Sequence, residues 1–177
     1  METIAVQPPD SSFAAGGVFE FELVRDGKVI DKWSDHNLVT NEGLNDLLSV
    51  YLVGGPQKVT WYVGLFEGNY TPTAAVTAAT VKTASTECTA YAEATRQTWA
   101  GATPASQSTT NSASKATFTI NATKSVYGAF LISASAKDGT GDAAAKLFAI
   151  TRFSAVRSVV ATDQLLVTYT VSAASAV

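Results

Sequence analysis

The residues whose types could do chemistry are few and scattered. A protease-like triad needs a histidine as general base, and the chain has one, His36, next to Asp35. A histidine base also needs an activated nucleophile within hydrogen-bond reach. His36 instead sits where a strand ends and a helix is about to start, and it reads as a turn residue. The single cysteine, Cys88, would need a lowered thiol pKa to act as a nucleophile. Its neighbour Glu87 works against a thiolate, so Cys88 reads as a small core filler. One Cys and one His cannot supply a four-ligand zinc site. Asp138 and Asp142 in "KDGTGDA" bring two carboxylates onto one loop, but the further acids and the terminal Glu of a calcium loop are missing. "GGP" and "AAGG" lack the GK[ST] ending of a phosphate-binding loop. With 15 carboxylates in the chain, chance pairs are expected, and none lies in a cleft pattern suited to glycoside hydrolysis. Trp33, Trp61 and Trp99, with Tyr62, Tyr70 and Tyr91, are the right types for stacking on sugars. Packing in a core or an interface is the commoner fate of such residues. No catalytic residue, metal ligand or cofactor site emerges, and the expectation is a protein that is not an enzyme.

Composition points to the same class. A chain of 177 residues suits one domain. Only 15% of it is charged, against about 25% in ordinary globular proteins. Ala, Ser, Thr, Val and Gly fill the deficit, so much of the surface must be small and neutral, which costs little to desolvate under a partner. The net charge of −3 argues against nucleic acid, which needs a basic stripe. No run approaches the ~18 apolar residues of a membrane-spanning helix, and the start "METIAVQPPDSSF" lacks the basic-then-apolar pattern of a secretory signal. A chain made in the cytosol, soluble and free of internal disulfides is expected. Two N-x-[ST] sequons, at Asn69 and Asn121, then carry no meaning, since the motif matters only in a secreted protein.

The elements that would position any site are mostly strands. Residues 1–16 lack either periodicity, contain Pro8-Pro9, and read as an extended N-terminal arm before a single β domain over 17–177. "GVFEFELV" alternates, with Phe19, Phe21 and Leu23 on one face. Asp26-Gly27 is a hairpin turn signal, and "VIDKW" returns as the partner strand. Asn41 is placed to cap a short helix over about 41–52, with Glu42 in its first turn. Leu44, Leu47, Leu48, Tyr51 and Leu52 form its apolar stripe, and Gly54-Gly55-Pro56 ends it. A helix of this length is marginal alone, so its stripe is expected to lie on the sheet as a plug over an open end or face of the core. "KVTWYVGLFEG" reads as a central strand, residues 69–84 as a long loop, and "ECTAYAEATRQTWAG" as either extended chain or a short helix near Tyr91–Arg96, with Thr content favouring the former. A polar loop spans "ATPASQSTTNSASK". Strands resume at "KATFTIN", "SVYGAFLISAS", "KLFAITRFS" and "DQLLVTYTVSA". Short strands punctuated by turns predict an all-β fold, an antiparallel β-sandwich or a jelly-roll-like barrel.

Several segments resemble small virion proteins of tailed bacteriophages. "KWSDHNLVTNEGLNDLL" is similar to their strand that ends in an "NLV-x-N/D-x-GL" turn and launches a short helix. "WYVGLFEGNYTPTAAVTAAT" and "STECTAYAEATRQTW" look like the middle of that group, and "ATDQLLVTYTVS" like its last strand. The similarity covers most of Trp33 to Ser172. Within the group the chain looks most like a capsid decoration (cement) protein. That resemblance implies a virion location on the capsid surface after synthesis in the host cytoplasm. It also implies the major capsid protein as partner, self-association as a homodimer or homotrimer, and no binding of nucleic acid or membrane. A tail or tail-fibre-associated protein is the alternative within the virion, and a carbohydrate-binding β-sandwich module the alternative from another class. Candidate interface residues are Ile4, Val6 and Phe13 in the arm, Tyr70, Val76 and Val81 in the long loop, and Trp99.

Overall fold

Alternation of apolar and polar side chains builds the first hairpin. In the computed structural model, which describes residues 12–176, β1 (Ser12–Arg25) and β2 (Lys28–His36) are joined by Asp26 and Gly27. Both turn residues have positive φ, 51° and 73°, as a two-residue hairpin turn of matching twist requires. Phe19, Phe21 and Leu23 are buried, as the alternation predicts. β1 also pairs along nearly its whole length with β11 (Gln164–Ala176), from Ser12 opposite Ala176 to Val24 opposite Gln164. The expected boundary between arm and domain at residue 16 therefore moves. Ser12 to Gly16 already belong to a strand, because β11 offers them ladder partners. The rest of the arm, including Ile4 and Val6, lies outside the described residues.

The remaining strands are β3 (Leu38–Val39), β4 (Trp61–Phe66), β5 (Glu87–Cys88), β6 (Gln97–Trp99), β7 (Ser108–Thr110), β8 (Ala116–Thr119), β9 (Lys124–Ile132) and β10 (Leu147–Val159). They complete two antiparallel sheets. One runs β2-β1-β11, with β7 and β8 both along the far side of β11; the other runs β3-β10-β9-β4, with β5 and β6 along β4. The protein is an all-β sandwich, and among the described residues neither sheet closes into a barrel. The polar loop over 102–114 contributes β7, whose Thr110 pairs with Thr170. Between the sheets, Phe19, Phe21, Phe118, Leu165, Val167 and Tyr169 meet Val63, Leu65, Val126, Leu131 and Phe153. The Phe19 and Tyr169 rings stack at 3.9 Å, and Phe153 meets Phe21 edge-on at 4.6 Å.

A second apolar layer covers the outer face of the second sheet. The described residues hold two α-helices, not one: α1 (Asn41–Val53) and α2 (Ala78–Ser85), with a 3₁₀ turn at Asp142–Ala144. α2 and its approach hold Val76, Ala78 and Val81 against Phe66, Phe130, Ile132, Leu147 and Ile150. This corrects the reading of 69–84 as a loop. It also corrects Val76 and Val81 as interface residues, since they are 5% and 0% exposed inside the chain's own core. Eight residues of Ala, Thr, Val, Lys and Ser give only two turns and little polarity contrast, so the helical period is hidden. Its start is marked instead by a capping box, Thr77 N–H donating to Thr80 Oγ1 at 3.2 Å.

Covering both faces explains the unbroken apolar runs of β4 and β9. It also sets a reciprocal pairing between them: Gly64 lies opposite Phe130, and Phe66 opposite Gly128. Each phenyl ring occupies the space over the facing glycine, so a Cβ at either glycine would strike a ring.

A buried ion cluster ties the loops to this layer. Arg96, fully buried, donates from Nε and Nη2 to Glu87 at 2.7 Å each, from Nη1 and Nη2 to Asp142 at 2.7 and 2.9 Å, and from Nη1 to the Ala134 carbonyl. Its guanidinium lies 5.5 Å from the Phe130 ring centre. Burial works against the Arg96 charge, but Glu87 and Asp142 outweigh it and hold its pKa above the usual value. Burial pushes the Glu87 carboxyl up, and Arg96 only partly reverses this. At another corner, Asp163 accepts from Arg25 Nε and Nη2 at 2.7 and 2.8 Å and from Val160 N–H at 2.8 Å, closing the β10–β11 turn on the end of β1.

Two outcomes follow. Replacing Arg96 with Leu leaves two carboxylates buried without a counter-charge, and urea denaturation is expected to show a loss of about 3–5 kcal/mol; a near-neutral result would remove the cluster as a structural lock. The Arg25 hydrogen bonds, aided by Val160 N–H and opposed by burial, hold the Asp163 carboxyl below its usual 3.8. The ionised form therefore stabilises the fold, fully above the unfolded pKa and progressively less as the pH drops through the lower native value. Acid titration of the urea midpoint should show a fall below about pH 4 that is shallower in Asp163→Asn, which starts from a lower plateau.

Candidate functional site

The most distinctive surface comes from α1, whose two ends are held very differently. Its first turn is bolted to β10 and α2. Thr40, not Asn41, is the cap: its Oγ1 accepts from Gly43 N–H at 3.0 Å and donates to the Leu147 carbonyl. Thr40 N–H donates to the Phe148 carbonyl, and Asn41 N–H to the Ala74 carbonyl. Glu42 Oε2 accepts from Ala78 N–H and Leu147 N–H, both at 2.8 Å, so a helix-start carboxylate also joins α1, α2 and β10. Gly43 is the only buried residue of α1. A Cβ there would come within 2.6 Å of the Phe148 carbonyl oxygen, so close approach to β10 demands glycine.

Beyond this anchor the helix leaves the sheet. The expectation of a plug that buries its leucine stripe is overturned. Leu44 and Leu47 are half-buried and Leu48 exposed, while Tyr51, Leu52 and Val53 are 82%, 77% and 81% exposed, followed by Val59 at 85%. The part of the stripe that is half-buried, Leu47 with Val50, faces Trp61, Trp99 and Phe148 at the edge of the inter-sheet core, while the last turn stands in water. The last turn ends at Gly54 with φ 72°, the left-handed cap that the sequence predicts. Between the lifted half of α1 and the sandwich edge runs a groove of about 270 Å³. Leu47, Val50 and Tyr51 form its helix wall, and Trp61, Trp99 and Phe148 its opposite wall. Asp46 and Lys58 line the same groove.

The residues singled out in the sequence are not brought together. Phe13 is exposed near the start of β1. Tyr70 is half-buried, edge-on to Phe66 at 6.5 Å. Trp99 is half-buried, donates Nε1–H to the Tyr169 carbonyl at 2.9 Å, and lines the groove, so among the described residues it is the interface candidate that borders this surface. His36 is exposed at the end of β2. Cys88 is buried, and burial pushes its thiol up to about 11, which suits a filler and not a nucleophile. Asp142 is the buried partner of Arg96, while Asp138 is exposed and accepts from Thr140 N–H, so the two carboxylates do not converge. Among the described residues no group of three or more His, Cys, Asp or Glu is placed to hold a metal ion, and no helix is long and apolar enough to cross a membrane. Trp33 stacks on Phe21 at 5.1 Å and carries Arg157 over its face at 4.6 Å.

The ridge was visible in the sequence as a stripe, but its destination was not. Gln57 and Lys58 gave no signal of their own, since they fall just before a strand and complete the groove only after the chain has passed Gly54–Pro56. No protein-family model matches the chain, and no curated protein matches it either.

Enlarging Gly43 should detach the anchor. Gly43→Val is expected to lower stability by about 1–3 kcal/mol through overpacking against the Phe148 backbone, measured by urea denaturation. Val at Gly16, where an added Cβ meets nothing within 4 Å, should cost far less; equal losses would show that the Gly43 contact is not what seats the helix.

Proposed function

We propose that this chain is a non-enzymatic structural subunit of a tailed-bacteriophage virion, most like a capsid decoration protein that binds between major capsid subunits and stabilises the head. The observation that carries this reading is the α1 ridge: Tyr51, Leu52, Val53 and Val59 stand in water in a chain that buries its other long apolar stripes. Successive large apolar side chains left in water at one helix end are the kind of surface that marks a protein contact. The low charge agrees with it, because small neutral side chains are cheap to cover. The virion part of the reading rests on the resemblance. The segment "KWSDHNLVTNEGLNDLL" that carries much of it runs through β2 and β3 into α1 and ends at Leu48, one turn before the exposed end of that helix.

On this reading the protein is made in the host cytoplasm and ends on the outer capsid surface. Binding only the assembled shell stabilises that shell by mass action, and many symmetry-placed copies add avidity. A tail or tail-fibre-associated role uses the same surface with a different neighbour. A carbohydrate-binding role draws less support, since Trp33 is occupied by Phe21, Phe153 and Arg157 and Trp99 is committed to the Tyr169 carbonyl.

Purified protein mixed with expanded capsids that lack it is expected to bind and to raise the temperature at which they come apart. Absence of both binding and heat resistance removes the decoration reading. Copy number per virion, by quantitative mass spectrometry, separates the remaining two: a number that scales with the capsid subunits points to the head, and one matching the few symmetry positions of a tail points there.

A further inference from the structure

We propose that residues 89–93 form a gate on the inter-sheet core, latched by the Lys137 ammonium, which opens while both sheets stay folded. The inference concerns the fold alone and is independent of the virion reading.

The segment runs between β5 and β6 without a strand or helix of its own. One of its side chains is buried: Tyr91 enters the core between the sheets and meets Phe118 edge-on at 4.9 Å. Ala90 covers the thiol of Cys88, which its backbone N–H reaches. Few other bonds hold the segment down. Tyr91 bridges to Ile120, Ala92 N–H donates to the Thr119 carbonyl, and Asn121 N–H donates to the Ala90 carbonyl. Thr119 N–H adds a shared bond to the Glu93 carboxylate at 3.1 Å.

Lys137, from the loop after β9, supplies the rest. Its Nζ donates to the carbonyls of Thr89, Tyr91 and Glu93 at 3.3, 2.9 and 2.7 Å, which uses all three ammonium donors. The same Nζ lies 4.2 Å from the centre of the Tyr91 ring, within cation–π range. The Tyr91 and Glu93 carbonyls have no other donor among the described residues. Lys137 forms no ion pair with a carboxylate among those residues. Its charge is committed to holding three alternate carbonyls in line, so one group fixes the whole segment.

The hinges lie on either side. Glu87 and Arg96 flank the segment and are joined to each other by two hydrogen bonds of 2.7 Å. Both ends therefore stay in place while the chain between them lifts. Openings of this local kind expose few residues and take less free energy than unfolding the domain.

Cys88, the single cysteine, reports the opening, because a thiol reagent reaches it when Ala90 and Tyr91 move away. Wild-type labelling by an aromatic disulfide is expected to be slow and nearly independent of urea at low concentration. Lys137→Met keeps the stem and removes the charge. It should label about 10- to 100-fold faster, the factor that matches losing hydrogen bonds to a charged group. Hydrogen exchange at the Ala92 and Asn121 amides should quicken with it, while amides at the centre of β1 and β11 keep their protection. Lys28→Met, exposed at the start of β2, should leave the labelling rate unchanged. A Lys137→Met protein that labels at the wild-type rate overturns the latch. Labelling whose urea dependence equals that of global unfolding, a slope set by the surface exposed, overturns the gate. The wild type decides that second point whether or not the variant folds.

Discussion

The structure depends on one constraint: the β3-β10-β9-β4 sheet carries apolar side chains on both faces, and both must be covered. The inner face is met by the first sheet through Phe19, Phe21, Leu165 and Tyr169. The outer face, with Phe66, Phe130, Ile132, Leu147 and Ile150, has no second sheet to meet it and is closed by α2 and the segment leading into it. An alternating sandwich strand would put polar residues there. Here the runs through β4 and β9 are apolar at every position or nearly so, which is the pattern of strands buried on two sides. The reciprocal Phe66–Gly128 and Phe130–Gly64 pairs belong to the same economy, for the rings that fill the outer layer lie back over glycines in their own sheet.

Once that layer exists, the loops that bound it must be held, and polar groups inside it must be satisfied. Arg96 does both. It draws Glu87 from the start of one excursion and Asp142 from the tip of another into a common cluster with the Ala134 carbonyl. A buried pair of this kind is weak evidence for extra stability, since well-packed apolar groups often serve equally well. What it supplies is connection: one guanidinium satisfies two carboxylates and a carbonyl that come from separate loops. Glu42 plays a smaller version of the same part, accepting from two backbone N–H groups where α1, α2 and β10 meet.

With α2 covering the outer layer, α1 is buried only at its first turn and half-buried at Leu47 and Val50, and its last turn is left exposed. Thr40, Glu42 and Gly43 seat it firmly on β10, and from Leu48 onward it extends as a bracket with apolar residues on its open side. This is where fold and function part company. A chain selected for solubility alone has every reason to place charge at positions 51, 52, 53 and 59, where side chains face water at no structural cost. Tyr, Leu, Val and Val at those positions are best accounted for by a neighbour, and the virion reading begins from that mismatch.

Sequence alone determined the elements whose signals are local. Alternation marked β1 and β11, Asp26-Gly27 set the hairpin, and helical spacing with the glycine stop bounded α1 to within a residue. The sandwich class and the burial of Cys88 were legible for the same reason, since each depends on residue type and near neighbours. Tertiary structure decided everything that required knowing which surface meets which. It set α2, whose short Ala/Thr helix has no readable period, and Val76 and Val81, which are core because a sheet face lies beneath them. It brought together Arg96, Glu87 and Asp142, which are up to 55 positions apart in the sequence. It also decided the fate of the leucine stripe on α1. A stripe shows that one side of a helix is apolar, but whether that side meets the chain's own core or another molecule depends on what already covers the core.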